Sequence, residues 1–194
     1  MMHKVERENT GTMRPGQDLV VAGFAGLAGT VLLTRMQRKR LESWFSDEYL
    51  ELILSHEKVA WSGNLEYWKT FGATECEPAG EGGILTALWN LSGAYETGIE
   101  FSLRQIPVKQ ETIEVCERLE LNPYRLYSKG CCLLVADNGG QMVKALAGEG
   151  IFAQVIGKVN RGIAREILSA EGHGYLDRPQ PDEMKKVVPD YVFI

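Results

Sequence analysis

The stretch Gly80-Glu81-Gly82-Gly83 leads directly into Ile84-Leu85-Thr86-Ala87-Leu88-Trp89-Asn90-Leu91, where apolar side chains recur with helical spacing. This stretch predicts a glycine turn at the entrance of a helix. Glycine permits close approach of the backbone, and the first N–H groups of a helix have no partner within it. Such an entrance can therefore receive an anion such as phosphate. The turn is a candidate site and does not by itself define a function.

Strands and helices interleave along the chain. The sequence predicts strands at 18–22, 99–103, 131–136, 151–159 and 163–168, and helices at 30–40, 46–58, 84–95, 110–119 and 141–147. Asn160-Arg161-Gly162 predicts a hairpin turn between the last two strands, and residues 171–174 predict another turn. This order predicts an α+β fold, in which a mixed β-sheet is packed with helices.

The 194 residues, 44% of them apolar and 24% charged, suit one globular domain. Residues 1–15 are polar and predict a flexible lead-in, and residues 16–178 are expected to form the domain. Residues 179–194 are a proline-rich tail that we expect to lie irregularly on the surface.

Composition argues against two classes of partner. A net charge of −5 gives no reason to expect nucleic-acid binding. The apolar run 19–33 is shorter than the ~20 residues that a membrane span needs, and Gly23, Gly26 and Gly29 interrupt it. We therefore predict a soluble, cytoplasmic protein with neither a nucleic-acid nor a membrane partner.

Those three glycines follow the first predicted strand, but the G-x-G-x-x-G spacing of a dinucleotide-binding fold is absent. Two interpretations remain open. The glycines allow close packing of a strand and a helix, which we favour, or Gly26 and Gly29 face a ligand opposite the turn at 80–83.

The cysteines and histidines show no metal-ligand spacing and no C-x-x-C pair. The adjacent Cys131 and Cys132 are expected to point to opposite faces of a strand. We predict reduced, mostly buried thiols and neither a metal site nor a disulfide framework.

Three segments resemble the C-terminal domain of the AIR synthase-like superfamily, in particular the hydrogenase maturation factors that dehydrate a carbamoyl group with ATP. They are Ile106-Pro-Val-Lys-Gln-Glu-Thr112, Cys116-Glu-Arg-Leu-Glu-Leu-Asn-Pro123 and Ser128-Lys-Gly-Cys-Cys-Leu-Leu-Val135. The resemblance covers roughly residues 14 to 184 and implies the fold of that domain.

Members of that superfamily have two domains. The N-terminal domain carries the acidic residues that hold ATP-bound metal, and the C-terminal domain closes over the nucleotide with glycine-rich phosphate contacts. Because the resemblance begins near residue 14, we expect the ATP-binding domain to be missing from this chain. The resemblance then implies a chain that is not an active enzyme alone, with ATP and Mg²⁺ entering only with a partner domain.

The candidate turn departs from the family pattern. Relatives commonly have His-Asp-Val-Thr-Glu-Gly-Gly where residues 77–83 are Glu-Pro-Ala-Gly-Glu-Gly-Gly. Pro78 and Gly80 replace the aspartate and the threonine, and neither can bind a cation or donate a hydroxyl. Glu77 could replace the lost carboxylate from one residue away, but we favour loss of the polar site because catalytic groups tolerate only small displacements.

The hydrogenase maturation factors end with a cysteine that accepts the carbamoyl group, whereas this chain ends Asp190-Tyr-Val-Phe-Ile194. We therefore expect no transfer to its own tail. Cys131 and Cys132 are poor substitutes because a reactive thiol needs exposure and a lowered pKa. We assign no catalytic residue.

Two hypotheses about function follow. In the first, the domain is a non-catalytic binding or assembly module, and a second copy or a separate nucleotide-binding subunit covers its apolar surface. In the second, a phosphate-containing ligand binds at Gly80, Gly82 and Gly83, with Glu81 orienting a metal or a ribose hydroxyl and Lys109 neutralising phosphate. The plainer interpretation of Glu81 is a carboxylate that favours the helix dipole, and that of Lys109 is a solvated surface charge. A weaker variant has the superfamily reaction completed by a partner.

Overall fold

The computed structural model describes residues 7–56 and 64–193, which include a mixed seven-stranded sheet with helices on both faces. The strand order is β2-β4-β1-β5-β3-β6-β7. The strands are β1 (Asp18–Ala22), β2 (Ala73–Pro78), β3 (Gly98–Phe101), β4 (Cys132–Ala136), β5 (Ala153–Asn160), β6 (Arg165–Ser169) and β7 (Gly172–Tyr175). The helices are α1 (Leu27–Met36), α2 (Arg38–Leu41), α3 (Asp47–Ser55), α4 (Leu65–Lys69), α5 (Gly83–Tyr95), α6 (Gln110–Leu119) and α7 (Gly139–Gly148). Short 3₁₀ turns lie at Leu103–Gln105, Pro123–Arg125 and Glu183–Lys186. The predicted α+β fold with a mixed sheet is therefore confirmed.

The central strand β1 divides the interior into two layers. Leu19 and Val21 face a core cluster that includes α5, whereas Val20 and Ala22 face a second cluster with α4 and α7. All four side chains are fully buried, as the side-chain alternation of a strand covered on both faces requires. The same alternation places Cys131 in the first cluster and Cys132 in the second, as the sequence predicts.

A third core cluster lies between α1, α3, α6 and the 3₁₀ turn Glu183–Lys186. Leu33, Leu50 and Val115 are fully buried in it, and so is Met184 from the C-terminal region. The expectation that the tail lies irregularly on the surface is therefore wrong for this turn. Apolar burial of Met184 holds the segment against the domain, and the spacing of prolines did not reveal that.

Several predicted elements match the structure closely. β1 and α6 have the expected bounds, and α5 ends at Tyr95. The predicted helix at 30–40 is two helices, because α1 ends at Met36 and α2 begins at Arg38. The predicted end of the second helix near residue 58 lies outside the described residues.

The predicted hairpin between β5 and β6 is wrong. β3 lies between them, pairing antiparallel with β5 and parallel with β6. Gly157 permits this insertion, because a Cβ there would lie 1.9 Å from the carbonyl oxygen of Glu100. The hairpin partner of β6 is β7, which includes residues that the sequence predicted as a turn.

Within residues 7–56 and 64–193, no helix is long and apolar enough to cross a membrane. The four cysteines are buried, as predicted.

Candidate functional site

The two glycine turns predicted from the sequence lie at the same edge of the sheet. Ala22, the last residue of β1, and Pro78, the last residue of β2, both pair with Cys132 at the start of β4. The turns that follow these strands therefore begin side by side. The structure brings the predicted residues Gly26 and Gly80 into one region.

The segment 122–128 fills the space between the two turns. The N–H of Gly26 donates to the Ser128 hydroxyl oxygen at 2.8 Å, and the N–H of Gly29 donates to the Tyr127 carbonyl at 2.9 Å. On the other side, the N–H of Ser128 donates to the Gly80 carbonyl at 3.1 Å. Both turns are thus hydrogen-bonded to one stretch of the chain.

Three glycines of these turns are required by close packing. A Cβ at Gly83 would lie 2.4 Å from the Tyr124 carbonyl oxygen, and one at Gly26 would lie 2.7 Å from that of Pro123. A Cβ at Gly29 would lie 2.5 Å from Leu126. Gly80 differs, since a Cβ there would meet nothing within 4 Å. The turn 80–83 therefore has open space at Gly80 and none at Gly83.

The α5 entrance already holds an anionic side chain. The N–H of Gly82, the N-cap residue of α5, donates to Oδ2 of Asp182 at 2.7 Å. Oδ1 of the same carboxylate accepts from the N–H of Met184 at 2.9 Å. Asp182 is 1% exposed. A carboxylate of the chain's own C-terminal region therefore occupies the position that the sequence assigns to a bound anion.

Burial is the largest influence on the pKa of the Asp182 carboxyl group. It raises the pKa of Asp182 above its usual value, while backbone N–H groups of Met184, Gly82 and Tyr127 act in the opposite direction. Sequence reasoning missed Asp182. The available signal was local, because Asp182 caps the 3₁₀ turn that follows Pro181.

Glu81 and Lys109 lie in different surroundings. The Glu81 carboxylate forms an ion pair with Lys185 at 3.0 Å, and both side chains are well exposed. Lys109 lies at the other glycine turn, with Nζ 4.7 Å from the ring centroid of Phe24. Phe24 stacks in turn on Phe152, which is 50% exposed.

A cavity of about 660 Å³ is lined by Asp182, whose carboxylate lies at the α5 entrance, and by neighbouring residues of the C-terminal segment. Its wall carries charges of both signs, from Arg125, Lys185, Lys186, Asp177, Asp182 and Glu183. Glu183 also accepts a hydrogen bond from the N–H of Asn122 at 3.0 Å. The cavity can accommodate a small polar ligand.

Glu77, the possible substitute for the missing aspartate, has a partner of its own. Its carboxylate accepts a hydrogen bond from Arg7, which also pairs with the buried Glu75 at 3.1 Å. Burial has the largest influence on the pKa of the Glu77 carboxyl and raises it, whereas the positive charge of Arg7 lowers it. The Tyr95 hydroxyl donates to Glu75. This cluster ties the described part of the lead-in to β2 and α5.

The thiols of Cys116, Cys131 and Cys132 are poor nucleophiles. Burial raises the pKa of Cys131 to about 12 and that of Cys116 to about 12. Burial also raises the pKa of Cys132. A thiol that stays protonated at neutral pH does not attack an electrophile efficiently.

The layered sheet and the paired glycine turns define an α+β domain of a known fold. It is similar to the hydrogenase maturation protein HypE from E. coli, with a TM-score of 0.67 and 23% identity over 91% of this chain and 54% of that one. A HypE from a HypE–HypF complex matches with a TM-score of 0.62 and 20% identity, over 87% of this chain and 54% of that one. A thiamine-monophosphate kinase from Stenotrophomonas maltophilia K279a matches with a TM-score of 0.64 and 15% identity, over 81% of this chain and 51% of that one.

The family itself follows from the sequence match. Residues 14–167 match the family of AIR synthase related proteins, C-terminal domain, and the chain belongs to this family. The resemblance seen in the sequence is thus confirmed. No curated protein matches the chain. The chain spans about half the length of the solved structures named above.

Proposed function

We propose that this domain is a binding or assembly module of the AIR synthase-related type, cytoplasmic, and without catalytic activity by itself. The observation that carries the proposal is the hydrogen bond from the Gly82 N–H to Asp182, because the helix entrance is occupied by the chain's own carboxylate. An enzyme that bound phosphate there would need this position free.

Two further features support a non-catalytic role. Pro78 and Gly80 supply neither a carboxylate nor a hydroxyl at the turn. The thiols of Cys131 and Cys132 have raised pKa values, and both residues are buried. Binding, in contrast, requires only a complementary surface.

The proposed partner is a second copy of this chain or a separate nucleotide-binding subunit. The exposed Phe152 and the half-buried Phe24 stacked on it lie at the sheet edge that carries the glycine turns, where burial by a partner would be favourable. A relative of the same fold, HypE, was solved in a complex with HypF. Partner association is therefore in keeping with the fold.

Light scattering coupled to size exclusion tests the proposal. We expect an assembled species for the wild-type chain, and a shift toward monomer for F152S. The control is Y175S, which removes an exposed aromatic side chain from the edge strand β7. Nucleotide hydrolysis by the purified chain alone would contradict the non-catalytic part of the proposal. A strictly monomeric chain that also fails to capture a nucleotide-binding subunit would contradict the assembly part.

A second candidate function is binding of a phosphate-containing ligand, such as ATP with Mg²⁺, at the turn 80–83 with a partner domain completing the site. Two observations favour it: a Cβ at Gly80 would meet nothing within 4 Å, and a charged cavity lies nearby. HypE has been solved in complex with ATP. In this hypothesis Gly26, Gly29 and Lys109 contribute from the neighbouring turn.

Thermal-shift measurements with ATP, ADP and Mg²⁺ separate the two functions, because saturating ligand raises the unfolding midpoint. D182A removes the carboxylate that occupies the entrance. If phosphate competes for that position, nucleotide will stabilise D182A more than the wild-type chain. If neither protein responds at millimolar nucleotide, alone or together with a captured partner subunit, the second candidate is wrong.

A further inference from the structure

An arginine with an unusual environment lies at the start of β6. Arg165 is 9% exposed, and its guanidinium carbon is 3.9 Å from the centroid of the Trp89 ring on α5. This is a close cation–π contact, and it holds the guanidinium over the aromatic ring. The position of the charged group is therefore defined by packing.

One edge of this guanidinium has no acceptor. Within the described part of the chain, neither Nε nor Nη2 of Arg165 has a hydrogen-bond partner, and both atoms are buried. Buried arginines are almost always paired. Arg7 and Arg38, by contrast, reach carboxylate oxygens at 3.1 Å and 2.6 Å. Arg165 thus carries the desolvation cost of a buried cation without the usual compensation.

The two unpartnered atoms have a specific geometry. Nε and Nη2 lie on the same side of the planar guanidinium, and their N–H bonds point in nearly the same direction. That pair matches two oxygens of one carboxylate or one phosphate group. The contact with Trp89 engages neither N–H group of this edge in a hydrogen bond, so both remain available to a ligand.

We propose that the Nε–Nη2 edge of Arg165 is a binding site for a small oxyanion, a carboxylate or a phosphate group, held beside Trp89. The site is separate from the glycine turn, because Trp89 lies six residues beyond Gly83 on α5, about 9 Å along the helix axis. It does not depend on the proposed function of that turn.

Entry to the site requires local opening, since both nitrogens are buried. β6 pairs with β7, a four-residue edge strand in which every residue is exposed. A short exposed edge strand opens at low free-energy cost. We expect transient separation of β7 from β6 to give an anion its route to Arg165.

NMR of the arginine Nε–H resonances tests the proposal on the full chain. The Arg165 resonance is identified by its contact with the Trp89 indole protons and by its loss in R165K. Inorganic phosphate and acetate are titrated separately at constant ionic strength, with chloride as the balancing salt. A saturable shift with phosphate alone assigns a phosphate ligand, and a shift with acetate alone assigns a carboxylate. A shift with both supports an oxyanion of either kind, and no shift at millimolar concentrations of either overturns the proposal.

A matched pair of variants checks that the response belongs to this edge. R165K keeps the positive charge but has no paired N–H edge, so we expect the rise in unfolding midpoint caused by the anion to be lost. R161K makes the same change at an exposed arginine just before β6 and is expected to keep the response. A midpoint rise that persists in R165K contradicts the proposal. The wild-type titration remains decisive if R165K does not fold.

Discussion

The carboxylate of Asp182 accepts a hydrogen bond from the N–H of Gly82, across 100 positions of the chain. This contact joins the C-terminal segment to the entrance of α5. It satisfies one of the N–H groups that a helix leaves without an internal partner. It also places a negative charge at the positive end of the helix dipole.

Replacing Asp182 with asparagine will destabilise the domain at neutral pH. The amide puts an NH₂ group opposite one of the backbone N–H groups that the carboxylate now accepts from, so a buried donor loses its partner. The expected loss in free energy of unfolding is about 1–3 kcal/mol. Urea denaturation measures it, with D177N as the control at an exposed aspartate. Equal stability of D182N and the wild-type chain would contradict the contact.

Asp182 also makes the stability of the domain depend on pH. Burial raises the folded-state pKa of Asp182 above that in the unfolded chain. The associated stabilisation is complete below the unfolded pKa and is lost as the pH rises through the folded pKa. The stability of the wild-type chain relative to D182N should therefore decrease as the pH rises through that window. Urea denaturation of both proteins at matched pH values measures the difference, and a constant difference would contradict the raised pKa.

Replacing Gly83 with alanine will be much more damaging than the same change at Gly80. Gly83 has a φ of +68° and no room for a Cβ beside the Tyr124 carbonyl, whereas Gly80 has open space. Backbone strain alone costs about 1–3 kcal/mol, and the steric overlap adds to it. We expect G83A to lower the unfolding midpoint strongly and G80A to leave it nearly unchanged. Comparable midpoints for the two variants would show that the glycine turn does not pack as described.

Replacing Ser128 with alanine will leave a backbone group without a partner. The Ser128 hydroxyl accepts from the Gly26 N–H and donates to the Leu126 carbonyl at 2.7 Å, and all three groups are buried. The expected cost is about 1–3 kcal/mol. Hydrogen exchange of the Gly26 amide should accelerate in S128A. An exchange rate equal to that of the wild-type chain would mean that the hydroxyl does not protect this amide.

Cys116 and Cys131 should resist alkylation in the folded protein. Burial keeps both thiols protonated at neutral pH, with pKa values of about 12. Iodoacetamide labelling followed by mass spectrometry should therefore modify these two cysteines only after denaturation. Rapid labelling of either residue in native buffer would contradict their placement.

Local patterns were sufficient to predict a substantial part of the fold. The helical spacing of Ile113, Cys116 and Leu119 predicts α6, and Asn122 before Pro123 is typical of a capped short turn, which the structure shows there. Both signals act within one or two helical turns. Such elements are therefore accessible from the sequence.

Long-range partnerships could not be predicted in this way. β2 was missed because Glu75 and Glu77 look like solvated charges until Arg7, far earlier in the chain, is seen to pair with both. The Asp182–Gly82 contact and the unpartnered edge of Arg165 also depend on tertiary packing between distant parts of the chain, which local patterns do not reveal. The turn residues at 160–162 predict that the chain reverses direction there. They do not predict which strands pair with β6.

The strand order has a consequence for synthesis on the ribosome. β1, β2 and β3 are made first, yet none of them is adjacent to another in the sheet, because β4 and β5 separate them. Their pairing therefore waits until residues 132–160 have emerged from the exit tunnel. Pairing of this kind is slow and leaves apolar strands temporarily exposed. We therefore expect the nascent chain to need protection from aggregation during that period.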